Sequence, residues 1–170
     1  LVGRASCGRF ATLLATLRTV TSAGEIAALV DQGDQLDPQT AAALGVDLER
    51  LLWVRPRRLP DAVAAAEMLV RTGFPLVAVD LGLPPVRGRA PLAAWLRLAR
   101  GCQSHGAVAL VASPYRLSGC AAEVVLAADP GRGRWLGAAG SLRLLEGLEA
   151  QLRTLRRRGH HPEAVVRAAF

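Results

Sequence analysis

Apolar residues follow two rhythms along this chain. Short continuous runs occur at Ile26–Asp31 (IAALVD), Leu51–Arg55 (LLWVR), Leu76–Asp80 (LVAVD), Ala107–Ala112 (AVALVA) and Glu123–Ala128 (EVVLAA). Being continuous rather than alternating, they predict strands buried on both faces of a parallel sheet. Between them, apolar residues recur every three or four positions, which predicts helices over Arg9–Val20, Pro38–Leu44, Leu59–Thr72 and Pro91–Gln103. Asp37 before Pro38 reads as an N-cap followed by proline in the first helical position. Gly45 and Gly73 stand where a left-handed C-cap is wanted. Strand and helix alternating over short links predict an α/β domain with a mostly parallel sheet flanked by helices. The ligand crevice of such a sheet lies beyond the carboxyl ends of its strands.

Nearer the C-terminus the rhythm changes. PGRGR after Asp129 reads as a turn. Leu142, Leu145, Leu148, Leu152 and Leu155 then recur at helical spacing, with Arg143, Arg153, Arg156 and Arg157 among them. The pattern predicts an amphipathic helix around Ser141–Arg158, stopped at Gly159, and a short amphipathic piece ending at Phe170. It divides the chain into a core over 1–137 and a C-terminal helical extension over 138–170. Such a leucine face suits core packing, and it also suits a partner's groove. Leu145, Leu148, Leu152 and Leu155 are therefore candidate docking residues.

The chain opens on LVGRASCGRF. An apolar strand end runs into Gly3, Gly8 follows after four residues, and a helical pattern starts at once. This is the frame of the phosphate-binding loop G-x-x-x-x-G-K-[ST], whose backbone N–H groups cradle phosphates while its Lys and hydroxyl serve the outer phosphates and Mg²⁺. Arg9 stands in the Lys position and Phe10 in that of the hydroxyl. A phenyl ring offers no oxygen to a hard cation. Gly3, Gly8, Arg9 and Asp80 thus form a degenerate nucleotide site, with ATP binding doubtful and no metal ligand set. Because a phosphate loop needs a full strand before it, a longer parent chain trimmed at its N-terminus is expected.

The 170 residues suit one domain with a real core, and every one of the 21 basic residues is arginine. The formal charge of +7 permits an acidic partner such as nucleic acid, or simply a solvated arginine surface. Candidate nucleic-acid contacts are Arg87 and Arg89 in the loop LPPVRGR, Arg116 in the loop PYRLSG, and Arg156, Arg157 and Arg158. Tyr115 is the aromatic residue placed to stack a base there. Cys7, Cys102 and Cys120 follow no metal or disulfide spacing and fit a reducing, cytoplasmic setting. No apolar run reaches bilayer length, so no membrane partner is expected. His160 and His161 are adjacent and make a poor metal pair, and no catalytic Ser/His/Asp arrangement stands out. Asp31 and Asp34 read as capping and loop residues rather than an acid–base pair.

The segment Leu36–Leu52 (LDPQTAAALGVDLERLL) resembles the RecA recombinases, as do Ala62–Gly73 (AVAAAEMLVRTG) and the Walker B-like strand Leu76–Asp80. The resemblance extends over roughly Leu1–Ala128 and implies a RecA-like P-loop NTPase core. It also implies a catalytic carboxylate two residues after Asp31, where this chain has Gly33. Ser113 and Pro114 occupy the place of polar sensor residues, and both DNA-binding loops are short. LLWVRP (Leu51–Pro56) and VAVDLG (Val77–Gly82) resemble the ImuA proteins, RecA-like accessory factors of SOS mutagenesis; SulA-like proteins share the superfamily. That resemblance implies a non-catalytic adaptor in translesion synthesis, with ImuB and RecA as partners and the chain a monomer or part of a hetero-complex. Alternatives are a nucleic-acid-binding RecA-fold module and a weak ATP-binding or ATP-hydrolysing enzyme.

Overall fold

The computed structural model describes residues 1–138, 140, 142–157 and 165–169. Four strands, β1 (Ala27–Asp31), β2 (Leu51–Val54), β3 (Leu76–Asp80) and β4 (Val108–Ala112), form a parallel sheet in the order β2-β1-β3-β4. Four α-helices flank it: α1 (Arg9–Ser22), α2 (Pro38–Ala43), α3 (Leu59–Arg71) and α4 (Leu92–His105). β1 and β3 are buried along their whole length, as their continuous apolar runs require.

Successive residues of these two strands feed opposite faces of the sheet. Ala28, Val30, Val77 and Val79 pack with α3 and α4 through Leu59, Val63, Val70, Trp95 and Leu98. Ala27, Leu29, Leu76 and Ala78 pack with α1 and α2 through Leu13, Leu17 and Ala41. Each fully buried leucine contributes about 1.5–3 kcal/mol relative to exposure. Two polar devices pin the α2 corner. Asp37 caps α2 by accepting from the Thr40 N–H at 2.9 Å, and Asp47 accepts from the Glu49 N–H at 3.0 Å in a short 3₁₀ turn over Leu48–Arg50.

Residues 1–3 join this sheet to a second one. Val2 bridges Ser113 on one side and Ala127 on the other, both in parallel sense. The Val2 N–H donates to Leu126 O at 2.8 Å, and the Ala128 N–H donates to Val2 O at 2.7 Å. On the other side, the Ser113 N–H donates to Leu1 O at 3.0 Å and the Gly3 N–H to Ser113 O at 3.2 Å.

The second sheet corrects the sequence reading. β5 (Val124–Leu136), β6 (Leu144–Arg157) and β7 (Val165–Ala169) are antiparallel strands in the order β5-β6-β7. An amphipathic helix over Ser141–Arg158 was expected where β6 stands; Ser141, Arg158–Ala164 and Phe170 lie outside the described residues. The expected turn at PGRGR is likewise strand, running through a register shift between Asp129 and Arg132. Period-2 burial is visible in β6: Ala150 and Leu152 are buried while Gln151 and Arg153 are exposed. Three register shifts along the β5–β6 ladder change the phase of the leucines, so their spacing imitates a helix.

Candidate functional site

The turn from Gly3 to Gly8 follows the isolated bridges of Val2 and delivers the chain into α1. Gly8 takes φ +81°, and a Cβ built there would lie 2.7 Å from Ala150 Cβ on β6. A Cβ on Gly3 would meet Cys7 Sγ and would lie 2.9 Å from Ala128 O. Both glycines are therefore required by close approach, and Gly8 also by its left-handed backbone. Cys7 is buried against Ala128 and Leu152, so the turn rests on an apolar plug made partly by β6. Phe10, the second residue of α1, is partly buried and packs against the core cluster of Leu13, Leu14 and Leu17.

Arg9 is buried, and its side chain runs toward β3. Nη1 donates to Gly3 O at 2.7 Å and Nη2 to Gly82 O at 2.5 Å, while Nε is buried with no partner. The guanidinium thus ties the first glycine of the turn to the segment after β3. Asp80 ends β3 in register with Asp31 of β1, and both carboxylates are buried. Burial raises the Asp80 carboxyl to about 6; the Arg9 charge opposes the rise, the Asp31 charge adds to it, and the Gly82 N–H (3.2 Å) opposes it. Asp80 Oδ1 has no hydrogen-bond partner.

Asp31 is fully engaged in shaping its own loop. It accepts from the Gln35 N–H at 3.1 Å, the Leu36 N–H at 3.0 Å and Trp53 Nε1 at 3.2 Å. Asp34 pairs on the surface with Arg55 at 2.6 Å. These geometries fit capping and loop roles and do not form an acid–base pair.

At Gly33, two residues beyond Asp31, the backbone lies directly against Gly82. A Cβ on Gly33 would fall 2.5 Å from Gly82 Cα and also meet the Asp80 carboxylate; a Cβ on Gly82 would fall 2.6 Å from Gly33 Cα. No side chain fits at either position without backbone movement. The importance of Gly82 is visible only here; its one signal in the sequence is a glycine directly after the apolar run ending at Asp80 and Leu81.

Residues 1–83 match the RecA N-terminal domain family. That stretch is RecA-like. Protein RecA of Picosynechococcus sp. is 40% identical over 81 residues, covering 48% of this chain and 22% of that protein. Protein RecA of Salinispora arenicola is 42% identical over 79 residues, covering 46% and 23%. The aligned part thus amounts to less than a quarter of each of those RecA proteins. Among solved structures, SulA from Pseudomonas aeruginosa superposes with a TM-score of 0.52 at 22% identity, covering 66% of this chain and 93% of that one. The RecA-like match takes in the Gly3–Gly8 turn, Asp31 and Asp80, and the SulA likeness extends to the fold alone.

The remaining candidates separate. Leu152 is buried beneath the RecA-like turn and Leu155 is half-buried, so the expected exposed helical face does not form; Leu145 and Leu148 share the β6 backbone. Arg87, Arg89 and Arg116 are exposed. The loops carrying them are held together by the Val86 N–H, which donates to Tyr115 Oη at 3.2 Å. Arg156 instead donates to Gly119 O at 3.1 Å and Ala122 O at 2.5 Å. Arg157 is exposed opposite Val124, at the start of β5; Arg158 lies outside the described residues. Sequence reasoning overlooked Arg4, which stands inside the turn and lines a cavity with Tyr115 and Arg116. No helix among the described residues is long and apolar enough to cross a membrane.

Proposed function

We propose that this chain is a non-hydrolysing RecA-fold adaptor in SOS-induced mutagenic DNA synthesis, contacting an ImuB-type polymerase homologue and RecA. The observation that supports the loss of hydrolysis is the backbone contact between Gly33 and Gly82. It leaves no room where the RecA resemblance implies the carboxylate that orients the attacking water. The inward ties of Arg9 to Gly3 O and Gly82 O support it further, since a phosphate would have to compete for that guanidinium. The adaptor role rests on the ImuA-like wording of Leu51–Pro56 and Val77–Gly82.

Steady-state hydrolysis with Mg²⁺–ATP tests the first half: no turnover above that of Asp80→Ala is expected, and turnover abolished by that substitution overturns it. Thermal unfolding gives a second reading. A nucleotide at a hundred times its Kd would add roughly 2.7 kcal/mol, raising the midpoint by about 5–10 °C. No such rise is expected. The adaptor half is tested by gel filtration of the chain with a purified ImuB homologue, where failure to co-elute at micromolar concentration overturns it.

Direct nucleic-acid binding is a second reading, favoured by the bond that gathers Arg87, Arg89 and Arg116 onto neighbouring loops. It requires affinity for single-stranded DNA that falls steeply with salt. A flat salt response counts against it.

A further inference from the structure

Exposed arginines line the edge of the parallel sheet at the carboxyl ends of its strands. Arg57 and Arg58 follow β2, Arg87 and Arg89 follow β3, and Arg116 follows β4. The strand order β2-β1-β3-β4 sets them in a row. Three interstrand steps of about 4.8 Å make that row roughly 15 Å long. Hydrogen bonds stitch it together. The Leu59 N–H, next to Arg58, donates to Arg87 O at 2.8 Å, and the Val86 N–H donates to Tyr115 Oη at 3.2 Å, next to Arg116. Ser113 Oγ in turn donates to the Tyr115 carbonyl at 2.7 Å. The fold thus positions the loops that carry these arginines.

Charge along the row is not balanced. Arg55 is committed, pairing with Asp34 at 2.6 Å and lying over the Trp53 ring. None of the other five guanidinium groups has a side-chain partner among the described residues. Asp37 and Asp61 are the exposed acids left at the starts of the adjoining helices, and Asp37 already accepts from the Thr40 N–H. α3 and α4 both begin at this edge with no side chain capping their first N–H groups, which adds positive potential. Apolar side chains interrupt the arginines: Leu83 is 53% exposed and Leu92 47%. Leu92 lies against the loop at Gly119, where a Cβ would come 3.5 Å from its Cδ1.

We propose that this edge docks an extended acidic segment of a protein partner, with leucine-class side chains among its carboxylates. Guanidinium forks take carboxylates bidentately. About five extended residues, at roughly 3.3 Å each, span the row. Leu83 and Leu92 bury the apolar side chains of the segment, a use that a phosphate backbone does not make of them. A nucleic-acid strand wants successive aromatic platforms, and Tyr115 is the single aromatic in the loops 83–91 and 114–119. This docking rests on the adaptor reading and gives the chemistry of its contact.

The test is fluorescence anisotropy with the full chain at physiological salt, using labelled peptides DEDLDEDL, DEDSDEDS and NQNLNQNL, and labelled dT₈. DEDLDEDL is expected to bind about tenfold more tightly than each of the others. The pair Arg57→Gln and Arg58→Gln, and the pair Arg89→Gln and Arg116→Gln, should each weaken it about tenfold. Melting should stay unchanged, because these side chains are exposed. Arg100→Gln, near the far end of α4, should leave binding as it was. Leu83→Ser with Leu92→Ser should remove the preference for DEDLDEDL over DEDSDEDS while keeping the affinity for DEDSDEDS. No binding at millimolar peptide, equal affinity for DEDSDEDS or NQNLNQNL, or full affinity in both arginine pairs overturns the proposal. So does dT₈ binding as tightly, which would make the edge a nucleic-acid site. Gel filtration with the ImuB homologue separates the two failures. Co-elution without peptide binding overturns this surface alone, and peptide binding without co-elution overturns the adaptor reading alone.

Discussion

Gly33 and Gly82 touch backbone to backbone: a Cβ on either would lie within 2.5 or 2.6 Å of the other's Cα. Two loops that follow neighbouring strands, β1 and β3, are thereby closed onto each other over Asp80. Gly33→Ala is expected to destabilise the fold by about 1–3 kcal/mol, the usual cost of inserting atoms where packing is complete. Gly33→Glu should cost at least as much and restore no ATP hydrolysis. Urea unfolding measures the first effect and a phosphate-release assay the second; a stable, hydrolysing Gly33→Glu variant contradicts both.

The buried Asp80 carboxyl makes stability depend on pH in a defined window. Its folded value of about 6 exceeds the ordinary 3.8, so the folded state holds the proton more tightly than the unfolded state does. The contribution is full below about pH 4 and is lost as pH rises through 6. A rise of roughly two pH units corresponds to about 3 kcal/mol. Asp80→Asn should remove this slope and unfold at higher urea than wild type at pH 7.5. Equal slopes between pH 4 and 6 in the two proteins would exclude the assignment.

Arg9 lowers the Asp80 value and bonds two carbonyls, so its removal has two readouts. Arg9→Met should cost roughly 1.5–3 kcal/mol, the scale of a hydrogen bond from a charged donor. It should also move the Asp80 transition to higher pH. A stability loss with no movement of the pH transition would show that Arg9 acts only through its carbonyl bonds.

Leu152 and Leu144 belong to one strand and should respond very unequally to truncation. Leu152 is 6% exposed beneath the turn, whereas Leu144 is 69% exposed. Leu152→Ala is expected to cost about 2–5 kcal/mol and Leu144→Ala under about 0.5. Chemical denaturation of the two variants checks this, and similar losses would refute the placement of Leu152.

The parallel half of the fold was legible because its signals are local. Continuous apolar runs at Leu76–Asp80 and Ala107–Ala112, the Asp37–Pro38 start and the Gly45 stop all act within a few residues. The LDPQTAAALGVDLERLL stretch proves to be structural as well: Leu36, Ala41 and Val46 fill the core while Asp37 and Asp47 cap turns. β6 was misread because its bulges break the alternation that would mark a strand, and because Ala150 and Leu152 owe their burial to a turn far away in sequence. The site was legible in its parts and not in its arrangement. Gly33 could be seen as a missing carboxylate, but its contact with Gly82, the direction of Arg9 and the meeting of Arg4 with Arg116 all depend on tertiary approach.

The bridging segment Leu1–Gly3 carries a consequence for how the molecule assembles. Its neighbours are Ser113 and Ala127, and Leu1 N reaches Val111 O across 110 positions of chain. A seam that must wait for partners so distant is entropically expensive to close and slow to nucleate. On the ribosome Leu1–Gly3 emerge long before Ser113 and Ala127 exist to receive them. The β1–β3 pairing, made of nearer segments, is in a position to form first, with Leu1–Gly3 docking between their neighbours last. A nascent chain arrested before residue 127 would therefore carry an unsealed edge, and that intermediate is where a chaperone or an aggregating neighbour would gain access.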